Sequence, residues 1–347
     1  MPKFSADDLT AAGIRVFTAA GVDEAIAAEV MRSLVLSNLM GVDSHGIVRV
    51  AQYVKALKTG VIVPDSRARI IRENDVVIIL DGCRGFGQIV ARHAMRLIID
   101  KARVKGVGVG SFTNVHHIGR VGEFVAMASD EGMIGIMFAN GGRPGGMVAP
   151  FGSSQGMLGT NPMAFSIPAG ASPAFLADFA TSTMAEGKVR IALHKGERLP
   201  AGCLIDKHGQ NTDNPADLYD GGAITTFGSY KGYALSLLIE VLGGILSGGE
   251  TPIFPSYDGM NNGFAIVIEP DFFRSGPEFE AAINYFFTSI KNGAPAQGSK
   301  GALIPGEPEM FQKSIRAKEG ILVDDNTLAE LEQVAQQLSV QLDLKPV

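Results

Sequence analysis

The 347-residue sequence has no tryptophan, two cysteines, six histidines and no run of lysine or arginine. Cys83 and Cys203 stand far apart, and neither belongs to a CxxC or Cys/His spacing. That excludes a disulfide framework and a zinc-binding pattern, and predicts two free thiols in a reducing compartment. A net charge of −6 without a basic stretch gives nothing to track a phosphate backbone, so no nucleic-acid partner is expected. Long apolar runs are also missing. The richest, ALSLLIEVLGGIL, is interrupted by Glu240 and is too short to cross a bilayer, and the opening MPKFSADDLTAAGIR has no secretory apolar core. No membrane partner and a cytoplasmic location follow as expectations.

What is present is glycine, at 43 positions, with 46% hydrophobic and 19% charged residues. This composition suits a folded α/β protein, and the length exceeds what one hydrophobic core usually serves. Ser5 followed by Asp8 resembles a capping box, and apolar positions 26, 30, 34 and 31, 35, 39 predict a helix over 23–40. A second helix is expected over 46–58, with Ile47, Val50, Val54 and Leu57 inward and Gly60 at its end. From Val76 strands and helices alternate: DVVIIL, VGVGSF and MIGIMFAN read as strands, ARHAMRLIIDKARVKG and EFVAMASDEG as helices. Short strands follow at MAFSIP and FLADFA, then a loop-rich segment over 195–228. KGYALSLLIEVLGGILSGG is apolar nearly all round and reads as a buried helix; FAIVIEP reads as a strand and the acidic C-terminal segment as an amphipathic helix.

The chemistry concentrates in a few short segments. In GVDSHGIVRV, Asp43 or Ser44 is a natural N-cap, and His45 and Arg49 fall one helical turn apart with Tyr53 a turn beyond. A guanidinium fork matches a carboxylate, and an imidazole of near-neutral pKa exchanges a proton with a neighbouring hydroxyl, so the set suits a 2-hydroxy or 2-keto acid. An ordinary capped helix with a solvated His and Arg would read the same way. NVHHIGRVGEF follows a predicted strand, which puts His116 and His117 at its C-terminal end, with one of the two facing a site. No third ligand stands at metal spacing, so no metal is expected. DGCRGFGQIV has glycines in the wrong order for a dinucleotide fingerprint and reads as a tight turn. GTNP, DFATS, GSYKG and IPGEPE are small-residue loops able to hold a pyrophosphate or ribose, or merely turns.

Taken in order, SHGIVR, NVHHIG, GTNPMAF, DFATS, KGYALSLLIEVLGGILSG and IPGE resemble the malate/L-lactate dehydrogenase family, over roughly residues 5 to 345. That family includes ureidoglycolate, sulfolactate and diketogulonate oxidoreductases and a reductase of cyclic imine carboxylates. The resemblance implies an α/β, non-Rossmann, sulfolactate-dehydrogenase-like fold: a cofactor domain on a mixed or antiparallel sheet and a helical domain assembled from both chain ends. The implied division is residues 1–72 as the N-terminal helical part of the substrate and dimer domain, 73–230 as the cofactor-binding part, and 231–347 as the buried helix, strand and returning C-terminal helices.

The implied activity is hydride transfer between NAD, with NADP open, and a small 2-hydroxy or 2-keto acid, in a homodimer. The alternatives are reduction of a cyclic imine such as a piperideine or pyrroline carboxylate, or a cofactor-binding protein without turnover. His117 aligns with the family's proton acceptor, whereas the imine-reducing branch pairs the residues matching His45 and Asp178, so both histidines stay candidates. Ser44, Arg49, Tyr53 and Thr160 are implied to hold substrate. His117, Asn140, Asp178, Phe179, Ala180, Lys231, Pro305, Gly306 and Glu307 are the implied cofactor contacts. The loop NGGRPGGMVAP is longer than the family's N-x-x-P-x-x-AP pattern, which makes Arg143 a candidate specificity residue.

Overall fold

The computed structural model describes residues 1–168 and 175–347. Its centre is a seven-stranded sheet in the order Arg69–Glu73, Val77–Asp81, Val107–Val115, Asn261–Ile268, Ile134–Asn140, Pro162–Ile167, Phe175–Ala180. Only Val77–Asp81 and Val107–Val115 pair in parallel, joined by the long crossover helix Gly87–Lys105; every other pairing is antiparallel. Helix Gly122–Ser129 carries the chain from Val107–Val115 to Ile134–Asn140 and leaves a strand-wide slot between them. Asn261–Ile268, from far along the chain, fills that slot antiparallel to both neighbours. The fold is thus mixed α/β with a mostly antiparallel sheet, as the resemblance implied.

One face of the sheet buries Ile78, Leu80, Phe112, Met137 and Val267 against the two crossover helices. Burying such side chains supplies roughly 1.5–3 kcal/mol each. Against the other face pack Phe138, Met163 and Ile239, the last from helix Tyr230–Ile239. A separate helical core joins both chain ends: Leu9, Phe17, Val30, Leu34 and Tyr53 pack with Ile321, Leu331 and Ala335, and Lys3–Phe4 pairs antiparallel with Ile321–Leu322. Local signals start these helices as expected. The Ser5 hydroxyl accepts the Asp8 N–H at 3.0 Å, and Asp23 accepts from Ala25 and Ile26.

Three expectations are corrected. The helix expected over 46–58 spans Arg49–Lys58 and is preceded by a separate 3-10 turn, Asp43–His45. The break falls at Gly46, in extended conformation, where Asn38 Oδ1 takes the Ile47 N–H at 2.8 Å and a side chain on Gly46 would collide with Asn38. Neither Asp43 nor Ser44 caps a helix there; the Asp43 carboxylate is bound by Asn38 and Arg316. The supposedly buried helix is buried on one face only: Leu237, Leu238, Val241, Ile245 and Leu246 are exposed, the last at 61%. It also widens to a π-helix over Glu240–Ile245, where Glu240 turns inward to Asn140 and Asn161. Finally, 195–228 holds a three-stranded sheet of very short strands, with helix Glu186–Lys195 just before it. Among the described residues no helix is long and apolar enough to cross a membrane.

Candidate active site

The break at Gly46 has a functional consequence. It turns His45 out of the helix that carries Arg49 and Tyr53, so the three side chains reach one place from two elements rather than one. The Ser44 hydroxyl lies 2.9 Å from His45 Nδ1, and the Arg49 Nε donates to the Ser44 carbonyl at 2.7 Å. Facing them is the end of strand Val107–Val115. The His117 ring stacks on that of His45, with centroids 5.4 Å apart and 26° between planes. His116 is 8% exposed, its ring perpendicular to that of Tyr53 with centroids 5.1 Å apart and its Nδ1 without a partner.

Tyr53 is wholly buried and joins the two halves. Its hydroxyl accepts from Gln88 Nε2 at 2.8 Å and lies 2.7 Å from His117 Nδ1. Gln88 comes from the turn read as a mere glycine turn. Gly87 lets the start of helix Gly87–Lys105 press on the histidine backbone: a Cβ there would lie 2.2 Å from the His116 carbonyl oxygen. Burial pushes His45 down to about 4, with the charges of Arg49 and Arg120 acting the same way. Burial and Arg49 likewise hold His117 well below its ordinary range, and His116 falls to about 4. All three imidazoles are therefore neutral at pH 7. Burial also weakens the hold of Arg49 on its proton, a bias toward an anionic companion.

Asp178 ends this site from the sheet's far edge. Its Oδ2 accepts the Gly122 N–H at 2.7 Å; burial raises its pKa, opposed by the Arg120 charge and that N–H. Phe179 is 42% exposed beside it, and its ring meets Phe227 at 5.9 Å. The Pro305 carbonyl accepts from Leu176, on the same strand, and Glu307 secures its turn by accepting from Ile304 N and Lys291. Lys231 is exposed in the first turn of helix Tyr230–Ile239, whose cap residue Ser229 makes no side-chain capping bond. Asp178, Phe179, Ala180, Pro305, Gly306 and Glu307 thus share one edge of the sheet.

The remaining candidates make other contacts. Asn140 is buried, and its amide donates to Glu240 and the Glu250 carbonyl while its Oδ1 accepts from Asn262, so its side chain braces the loops behind the sheet. Thr160 offers its carbonyl to Thr181. Arg143 is exposed, its Nε donating to the Gly146 carbonyl. Its charge reaches Tyr219, whose hydroxyl donates to Glu186, and Glu186 with Arg190 acts in turn on Arg49. Sequence reasoning passed over Gln88, Arg120, Glu186 and Arg190. Arg120 stood inside the quoted HHIGRVGEF, and only its burial, 5% exposed, sets it apart. No cluster of three or more potential metal ligands occurs among the described residues.

A mostly antiparallel sheet beside a separate helical core from both chain ends, with histidines stacked at a strand end, stands outside the parallel dinucleotide-binding folds. The chain belongs to the malate/L-lactate dehydrogenase family, whose profile matches residues 4–332. It is 36% identical over 346 residues to hydroxycarboxylate dehydrogenase B of Escherichia coli, covering 97% of this chain and 95% of that protein. The sulfolactate dehydrogenase structure from Methanocaldococcus jannaschii superposes with a TM-score of 0.89 at 35% identity, covering 98% of each chain. The delta1-piperideine-2-carboxylate reductase structure from Pseudomonas syringae pvar. tomato gives 0.86 at 28% identity, covering 96% of this chain and all of that one.

Proposed function

We propose that this chain is an NAD(P)-dependent dehydrogenase moving a hydride between nicotinamide and C2 of a small 2-hydroxy or 2-keto acid. The observation that carries the reading is the neutral His45–His117 stack beside Arg49, with the Gln88–Tyr53 relay behind it. Arg49 binds the substrate carboxylate through its fork. The Tyr53 proton sets the His117 tautomer: donated to Nδ1, it leaves hydrogen on Nε2 for a keto oxygen, and as that hydrogen leaves, the Tyr53 proton moves to Nδ1 and is replaced from solvent. Turned toward the His117 carbonyl 3.5 Å away, it lets Nδ1 keep the hydrogen and frees Nε2 to take a hydroxyl proton. His45, held by Ser44, stacks on that ring and shields it from water.

The edge formed by Asp178–Ala180, Lys231 and Pro305–Glu307 suits a dinucleotide: exposed Phe179 for a ring, an open helix start and a lysine for phosphate. Bound nicotinamide would supply the hydride donor and acceptor at its C4. The hydroxycarboxylate and sulfolactate dehydrogenases among the relatives support the substrate class. The exposed stripe Leu237, Leu238, Val241, Ile245 and Leu246 supports pairing with a second copy of the chain.

A second reading, cyclic imine reduction, draws on the piperideine carboxylate reductase likeness. Oxidation of a hydroxy acid needs a free imidazole base at neutral pH, which the lowered histidine pKa values supply, whereas reduction of the keto acid or of the imine draws a proton from the same residues. The test is oxidation of NADH and NADPH against pyruvate, oxaloacetate, 2-ketoglutarate and a piperideine carboxylate. Turnover of a keto acid is expected; turnover of the imine alone would replace the first reading with the second.

A further inference from the structure

Two arginines of the described residues are nearly inaccessible, Arg92 and Arg120. Arg92 is neutralised by Glu29 and Glu123, the usual condition for a buried cation. Arg120 is not. Its Nε is fully enclosed without a hydrogen-bond partner, and no ion pair forms on it among the described residues. Asp178 offsets that charge from a distance without pairing with it, which leaves the guanidinium open to an anion.

Its position says which. An ideal Cβ on Gly122 would lie 2.8 Å from Arg120 Nη1 and 2.9 Å from Asp178 Oδ2, so only a glycine lets the guanidinium and the carboxylate crowd the same spot. Asp178 is committed to the Gly122 N–H and stays beyond ion-pair distance. Arg120 also follows His117 by three residues, and the His117 ring stacks on His45, while Arg49 holds the Ser44 carbonyl beside that imidazole. Both guanidinium charges act on the His45 imidazole. A carboxylate on Arg49 uses one of them and leaves the other without an ion-pair partner.

We propose that Arg120 is a second oxyanion anchor of the site, one that takes the far acidic group of a two-acid substrate while Arg49 holds the carboxylate next to C2. The chemistry is a 2-keto or 2-hydroxy acid whose side arm ends in a carboxylate or sulfonate. This rests on the dehydrogenase reading above and narrows it. A cofactor phosphate is the other source of an oxyanion, and the test separates the two.

The enzyme, Arg120→Gln and Arg120→Lys are assayed with oxaloacetate and with pyruvate. They are also titrated, cofactor-loaded and without turnover, with tartronate and with lactate. In Arg120→Gln, kcat/KM for oxaloacetate should fall about 100-fold and that for pyruvate less than about 5-fold, because only the diacid loses a desolvated charge contact. Arg120→Lys should recover part of the loss, cofactor KM should stay unchanged, and the ligand-free variant should melt no lower than the parent, since a structural arginine would lower it. Equal losses on both keto acids overturn the proposal, and a raised cofactor KM assigns Arg120 to the cofactor phosphate instead. If no keto acid turns over but tartronate binding still depends on Arg120, the anchor stands and the dehydrogenase reading falls. If tartronate binds the variant as tightly as the parent, the anchor falls.

Discussion

Acid should attack this protein through its histidine cluster, and His116 is the place to measure it. His116 takes no part in the proposed proton transfer, and its pKa falls from 6.5 to about 4 because burial, then the Arg49 and Arg84 charges, oppose a proton. The sign follows from linkage. Between pH 6.5 and about 4 the unfolded chain binds a proton at this position and the folded chain does not, so stability falls as pH falls through that window. At one tenfold step per pH unit, going from pH 7 to pH 5 removes about 2 kcal/mol on account of His116 alone. His45 falls to a similar value and adds a like amount, and His117 acts in the same direction. Asp178 and Glu240 work the other way, because burial raises their pKa values and the folded state gains a proton first. The informative quantity is therefore a difference between proteins. Urea unfolding of the parent and of His116→Asn at pH 7, 6 and 5 should show the variant losing about 2 kcal/mol less across the range. Parallel pH curves for the two proteins would refute the buried neutral imidazole.

Three further perturbations address the site and the assembly. Tyr53→Phe removes the hydroxyl shared by Gln88 and His117, and should lower kcat about 10- to 100-fold with cofactor KM unchanged in steady-state assays. Gly87→Ala sets a methyl group 2.2 Å from the His116 carbonyl oxygen, where backbone cannot yield; a loss of about 3 kcal/mol in urea unfolding is expected. Val241→Glu with Leu246→Glu charges the exposed apolar stripe, and sedimentation should show the proposed dimer giving way to monomer while the fold, followed by circular dichroism, survives.

Periodicity made most of the sheet and helix core legible. The strand read in FLADFA occupies Phe175–Ala180 as read, and the helix read over 23–40 spans Glu24–Leu39. What it missed had no pattern to show. Strand Arg69–Glu73 is exposed on both faces and lacks alternation, and helix Gly276–Lys291 has Phe287 as its one buried residue. The apolar helix after Lys231 was read as buried because hydrophobicity reports what a surface avoids, whereas its outer face is simply uncovered in a single chain.

By itself, then, the sequence determined the type of most core strands and helices, the failure of the dinucleotide fingerprint, and the short segments bearing His45, Arg49, His117 and Asp178. These are local properties: side-chain period, turn chemistry and residue identity. Tertiary structure decided the rest. The stacking of His45 on His117 depends on Gly46 breaking a helix and on Gly87 bringing a distant helix start against a strand end. The neutrality of those imidazoles depends on burial, and the isolation of Arg120 on the lack of any carboxylate folded within ion-pair reach. Distance and desolvation between remote segments set a pKa or leave a charge unmatched, and neither quantity exists along the chain before it folds.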